Sequence, residues 1–134
     1  YKSDKGKSIL KNPKVGLSFY WPSLERQIII KGKAEKLSAE KSDKYFDSRP
    51  RGSQLGAHVS PQSEIIPDRK FLEQMQFNLE KKFQNTQIPR PLHWGGILVR
   101  PHEIEFWQGR PNRLHDRINC YLHGIDWKAK RLAP

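Results

Sequence analysis

The sequence predicts an α+β domain that is mainly β, built on an antiparallel sheet or barrel with flanking helices. Three observations carry this. Runs rich in β-branched and aromatic residues lie at both ends of the chain, at 15–21 and 26–38 and again from residue 95 onward. A segment with helical spacing, Phe71, Leu72, Met75, Leu79 and Phe83, lies between them. The first two apolar runs are separated by only a few residues, which suits a hairpin better than a helical crossover.

Taken in order, residues 2–14 are polar and basic and read as a short helix ended by Pro13. "VGLSFYW" (15–21) reads as a strand that Pro22 stops, and "RQIIIKGKAEKLS" (26–38) as a second strand, broken or bulged near Gly32. Ser38 is a candidate N-cap, with Glu40 in the first turn, for a helix over about 39–48. "RPRGSQLGAHVSPQS" (49–63) is rich in Gly, Pro and Ser and reads as a loop, with room for a short helical turn. Pro67 and Asp68 open a longer helix whose five apolar residues form one buried face. After the connecting "NTQIPRPLH", strands are predicted at 95–101, 103–108 and 113–122, with a short one around 126–131. A length of 134 residues suits one domain, 1–134.

Composition narrows the function classes. The chain is 35% hydrophobic and 29% charged, ordinary for a globular protein. It holds no apolar run long enough for a membrane helix and no signal-peptide pattern, so a cytoplasmic protein without a membrane partner is expected. The lone Cys120 excludes an intrachain disulfide. The histidines at 58, 93, 102, 115 and 123 show no ligand spacing, so no metal is expected. A net charge of +11 points to anionic partners. The first residue is Tyr1 rather than Met, and the expectation is an excerpt of a longer chain.

Three clusters are candidates for chemistry. In a strand over 113–122, Arg113, His115, Arg117 and Asn119 share one face, and Leu114, Ile118 and Cys120 form an apolar one. Two guanidiniums flanking an imidazole suit a carboxylate, a phosphate or an electron-rich ring. The alternative is an exposed face whose arginines pair with Glu103, Glu105 or Asp116. In "YFDSRPRGS" (45–53), Tyr45 and Arg49 are four apart on a helix end, and Gly52 and Ser53 follow a proline turn. An Arg, a hydroxyl and free backbone N–H groups are the parts of a phosphate nest; the alternative is a helix stop whose Arg complements the dipole. "SPQS" (60–63) offers Gln62 and Ser63, with no Gly-x-Ser-x-Gly context for a serine nucleophile.

"FYWPSLERQ", "RPRGSQLGAHVSPQS", "WGGILVRPHEIEFWQGRPNRLHDR" and "DWKAKRLAP" occur in an order and spacing that resembles the pyridoxamine 5′-phosphate oxidase (pyridoxine 5′-phosphate oxidase) family. The resemblance implies an FMN-binding split β-barrel working as a homodimer, with residues from about 94 to 134 similar to the family's C-terminal dimerisation region. The implied reaction is oxidation of pyridoxamine or pyridoxine 5′-phosphate to pyridoxal 5′-phosphate, with O₂ giving H₂O₂. By matched motif, Lys5, Gln27, Gln62, Ser63, Trp107 and Arg117 fall on FMN contacts. Tyr45, Arg49 and Ser53 fall on substrate-phosphate positions, and Arg113, Leu114 and His115 on substrate contacts, with Arg113 and His115 at the reacting ring.

The chain departs from the family pattern twice. Where the family usually reads Ser-Arg-Lys it has Ser3-Asp4-Lys5, an acid at an FMN-phosphate position. The family's Arg-x-Val-Leu-Leu-Lys strand, which precedes the position of Tyr1, is absent from the sequence, implying an incomplete barrel with open edges. These departures frame an alternative, a non-catalytic FMN- or pyridoxal phosphate-binding relative or an inactive truncated form. A remoter one, nucleic-acid binding, rests on the charge alone and lacks any RNP1-type or zinc-finger pattern, so no nucleic-acid partner is expected.

Overall fold

The computed structural model describes residues 1–134. Four helices and five strands follow in the order α1 (Asp4–Lys11), β1 (Lys14–Trp21), β2 (Arg26–Lys36), α2 (Ala39–Asp47), α3 (Arg51–Val59), α4 (Arg69–Lys82), β3 (Ile97–Gln108), β4 (Asp116–His123) and β5 (Asp126–Leu132). The strands form one open antiparallel sheet in the order β1-β2-β3-β4-β5, with β1 and β5 at its edges. This is the expected α+β class, with the barrel left open.

The chain divides into two compact units, one of Tyr1–Lys11 and Lys36–Leu98, the other of Asn12–Glu35 and Val99–Pro134. The first is helical and centres on Phe46, Leu55 and Ile88, with Ala57, Leu79, Phe83 and Trp94 packed against them. Ser38 caps α2 by accepting from the Lys41 N–H, and Asp68 caps α4 by accepting from the Phe71 N–H, as the sequence predicts. The stretch 49–63 is not the expected loop with a short turn, since most of it, Arg51–Val59, forms a nine-residue helix. Leu55 and Val59, one helical turn apart, are buried, and that burial outweighs the poor helix propensity of Gly52, Ser53 and Gly56. Nor does α4 bury all of its apolar stripe: Phe71 and Met75 are exposed, and only Leu79 on the helix and Phe83 at its end reach the core.

The second unit carries the sheet. The β1–β2 register runs unbroken from Trp21↔Arg26 to Lys14↔Lys33, so Gly32 makes no bulge. It is needed for close approach instead: a Cβ there would lie 2.5 Å from the Arg100 carbonyl oxygen and 2.8 Å from a Val99 methyl. Gly32→Ala is therefore expected to destabilise the protein by about 1–3 kcal/mol through overpacking, read as a lower urea midpoint.

The two strands expected at 95–101 and 103–108 are one, β3, running through Pro101. Pairing with β4 begins at Glu103↔Tyr121, so the N–H that proline lacks falls outside that ladder. β4 starts at Asp116 rather than at residue 113, because Pro111–Arg113 form a 3₁₀ turn in which Asn112 and Arg113 both take left-handed φ, 58° and 60°. β4 and β5 join through a two-residue turn opened by Gly124 at φ 65°.

Candidate functional site

In the helical unit, Tyr45 lies in the last turn of α2 and Arg49 two residues past its end. Both meet at Trp94, which sequence reasoning did not single out. The Tyr45 ring stacks on it at 6.0 Å, and the Arg49 guanidinium lies over it at 4.8 Å. Trp94 is fixed from below by the Phe46 edge and by Arg90, which donates to the Trp94 carbonyl and pairs with Asp43. Arg49 Nη1 is buried without a hydrogen-bond partner. A buried guanidinium N–H left unmatched is costly unless an anion meets it. Just beyond it α3 begins. The Ser53 and Gln54 N–H groups bond to Pro50 O, whereas the Arg51 and Gly52 N–H groups precede the first intrahelical bond. A Cβ at Gly52 would meet nothing within 4 Å, so the backbone there is open to approach. Ser53 sits in this turn, half-buried.

The same unit holds a second anion-compatible element. Ser3 caps α1 by accepting from the Gly6 N–H, and the Asp4 N–H donates to Ser63 Oγ at 3.4 Å. This bond brings the start of α1, with Lys5, to the loop carrying Gln62 and Ser63, whose Ser63 is in the left-handed region at φ 70°. Helix-start donors, a hydroxyl and a lysine suit a phosphate; Asp4 in the same turn opposes it.

In the sheet unit, Gln27, Trp107 and Arg117 share a face. Trp107 and Arg117 are direct cross-strand partners. Gln27 lies on the same face of β2 as Lys31, which pairs with Glu103 at 2.8 Å; Glu103 lies on the Trp107 side of β3. Gln27 donates to Ser18 Oγ. Arg117 grips Glu105 through Nε and Nη2 at 2.9 and 3.1 Å and donates from Nη1 to the Ala133 carbonyl, leaving two N–H directions free. Hydrogen bonding to Glu105 holds the Arg117 pKa above its ordinary value, and the bond to Lys31 lowers that of Glu103. A cleft of about 510 Å³ is lined by apolar Trp21, Leu24, Ile28, Phe106 and Ile118 and also by Arg26, Gln27, Trp107, Gln108, Arg110 and Asp116.

The expected row of Arg113, His115 and Arg117 along one strand does not form. Arg113 and His115 precede β4, and the two left-handed residues turn the chain there. Nor is the Ile118–Cys120 side the buried one: Asn119, on the Arg117 side, is only 4% exposed. His115 reaches the same neighbourhood by another route, packing on Trp107 with ring centroids 4.8 Å apart. Its Nδ1 accepts from the Arg110 N–H at 3.1 Å. Arg113 and Leu114 are exposed. Arg110 and Arg131 both pair with Asp116, and these bonds, Arg110 first, lower the Asp116 pKa. The pairing alternative read from the sequence therefore holds for Arg117 with Glu105 but not for Arg113, which forms no ion pair; Asp116 is taken by Arg110 and Arg131 instead. Trp94 was missed, and Glu105 and Asp116 were read only as pairing partners; the only sequence signal for Trp94 is the Gly95-Gly96 pair after it, where a Cβ would strike Tyr1 and Leu37.

An open antiparallel sheet with an aromatic and guanidinium face, and a helical unit with two anion-ready helix starts, define an α+β protein equipped for anionic ligands. Residues 1–76 match the family described as pyridoxamine 5′-phosphate oxidase, and residues 94–134 match the pyridoxine 5′-phosphate oxidase C-terminal dimerisation region. The chain belongs to the pyridoxamine 5′-phosphate oxidase family. A pyridoxine/pyridoxamine 5′-phosphate oxidase of Flavobacterium johnsoniae is 58% identical over 99% of this chain and 63% of its own length. One from Christiangramia forsetii is 54% identical over 100% of this chain and 63% of its own. The chain thus spans just under two thirds of the length of these curated relatives. Among solved structures, PhzG from Burkholderia lata, in complex with tetrahydrophenazine-1-carboxylic acid, superposes with a TM-score of 0.89 at 31% identity, over 99% of this chain and 65% of that one. A pyridoxamine 5′-phosphate oxidase-related, FMN binding protein from Nostoc punctiforme shares the fold, with a TM-score of 0.68 at 14% identity, over 99% of this chain and 69% of that one.

Proposed function

We propose that the chain carries the FMN-dependent oxidation of pyridoxamine or pyridoxine 5′-phosphate to pyridoxal 5′-phosphate, with O₂ reduced to H₂O₂, and that it works as a homodimer through residues 94–134. The observation that carries this is Arg49 Nη1, buried and unmatched beside the open start of α3. An anionic group fits there, and a phosphate monoester on the substrate supplies one. In this reading Tyr45, Arg49 and Ser53 hold the substrate phosphate, while Arg113, Leu114 and His115 border the pyridine ring, with His115 presenting a ring N–H. Lys5, Gln62 and Ser63 receive the cofactor phosphate, and Gln27, Trp107 and Arg117 receive the flavin. Within the helical unit a lysine and a hydroxyl at a helix start suit the FMN phosphate, and within the sheet unit an amide, an indole and a guanidinium on one face suit its ring edge. When bound, the flavin supplies the redox chemistry; the protein's part is position and charge.

The relatives above 50% identity named for this oxidase support the B6-phosphate substrate over the tetrahydrophenazine-1-carboxylic acid bound by PhzG, which is only 31% identical. The unpaired Cys120 is consistent with a cytoplasmic setting. The deciding experiment is an FMN titration of the purified chain, following flavin fluorescence and protein mass together. Quenching that saturates at one FMN per chain, followed by H₂O₂ formation with pyridoxamine 5′-phosphate and none with unphosphorylated pyridoxamine, is the expected result. A folded protein that leaves flavin fluorescence unchanged overturns it.

A further inference from the structure

Asp116 sits between two guanidiniums, with Arg110 Nε at 2.7 Å from Oδ2 and Arg131 Nη1 at 2.5 Å from Oδ1. Arg110 stands at the entrance of the turn that presents Arg113 and His115, and Asp116 at its exit, so their pair closes a loop of five intervening residues. Inside it, Asn112 and Arg113 both take left-handed φ values, which asparagine tolerates but which an arginine keeps only under constraint from its surroundings. The loop is further anchored at its start, where the Gly109 N–H donates to Glu25 O at 2.7 Å. A Cβ at Gly109 would collide with Glu25.

The consequence falls on His115. The Arg110 backbone N–H can only donate, so His115 Nδ1 accepts and the neutral ring carries its proton on Nε2. Trp107 packs against the ring at 4.8 Å and limits its rotation. We propose that Asp116 is a positioning residue: by clamping Arg110 and Arg131 it holds the Arg110 N–H on His115 Nδ1, fixing the Nε2–H tautomer and turning that N–H outward as a donor to bound substrate. The inference rests on the reading of His115 as a substrate-facing group. Hydrogen bonds from Arg110 and then Arg131 hold the Asp116 carboxyl below its usual range, which favours the charged form of the clamp.

The test is ¹⁵N NMR of the imidazoles in the chain at neutral to alkaline pH, with His115 assigned by loss of its signals in His115→Gln. It needs neither flavin nor substrate, so its outcome is separate from that of the flavin titration. The wild-type protein is expected to show widely split His115 nitrogens with the proton on Nε2. In Asp116→Asn and in Arg110→Gln the two shifts should converge as both tautomers populate, while Lys31→Gln, which cuts an ion pair elsewhere on the sheet, should leave them split. If Asp116→Asn does not fold, Arg110→Gln alone decides. A proton on Nδ1 in the wild type, or unchanged splitting in the clamp variants that fold, overturns the proposal.

Discussion

Arg49→Ala should raise the KM for pyridoxamine 5′-phosphate by roughly 10- to 150-fold, the worth of about 1.5–3 kcal/mol for a hydrogen bond to a charged group, and leave kcat within about threefold. The phosphate is remote from the carbon that is oxidised, so its grip contributes to binding substrate and transition state alike. The thermal midpoint should scarcely move. In the free protein Arg49 Nη1 has no partner, so truncation relieves a buried unmatched donor while it forfeits the stacking on Trp94. Arg49→Lys should restore little, because an ammonium keeps the charge but not the planar contact with the indole. Steady-state kinetics and a melting curve on the same samples check both halves; a large drop in melting temperature with KM unchanged would make Arg49 a structural residue.

Arg117→Ala should weaken FMN by about 10- to 150-fold, on the same footing of one hydrogen bond to a charged group, and should also lower stability. The second effect follows from Glu105, whose side chain is only 15% exposed and loses both of its guanidinium bonds. The double variant Arg117→Ala/Glu105→Ala separates the two. It removes the stranded carboxylate and should regain much of the stability without regaining the flavin. Flavin fluorescence and urea midpoints across the four proteins complete the cycle. Flavin affinity that returns with stability would assign Arg117 to folding alone.

How much of this was legible in the sequence depended on how local its cause was. The helix starts at Ser38 and Asp68 were readable because a cap acts over three residues. α3 was not, since its glycines and serine disfavour a helix and the burial of Leu55 and Val59 that overrides them is tertiary. The continuity of β3 was not readable either, because nothing local shows that the N–H that Pro101 lacks falls outside the β4 ladder. Among candidate site residues, Arg49 stood out by its spacing from Tyr45, but Trp94, the surface on which both rest, lies 45 residues further on from Arg49. The Arg113–His115 register failed for a conformational reason. Alternation assumes extended backbone, and two left-handed residues after Pro111 end that assumption where the row should begin.

The division of the chain into two interleaved units bears on how such a protein can be inherited. The backbone passes between them three times, after Lys11, Glu35 and Leu98, so no single cut or recombination point separates one from the other. The stretches recognised as family modules do not coincide with them either. Residues 1–76 contain parts of both units, and 94–134 begin five residues before the second unit resumes, carrying β3, β4 and β5 without β1 and β2. What is conserved as text is therefore not what packs as a body, and a lineage that shuffled the C-terminal module alone would move three strands of a five-stranded sheet and leave their neighbours behind.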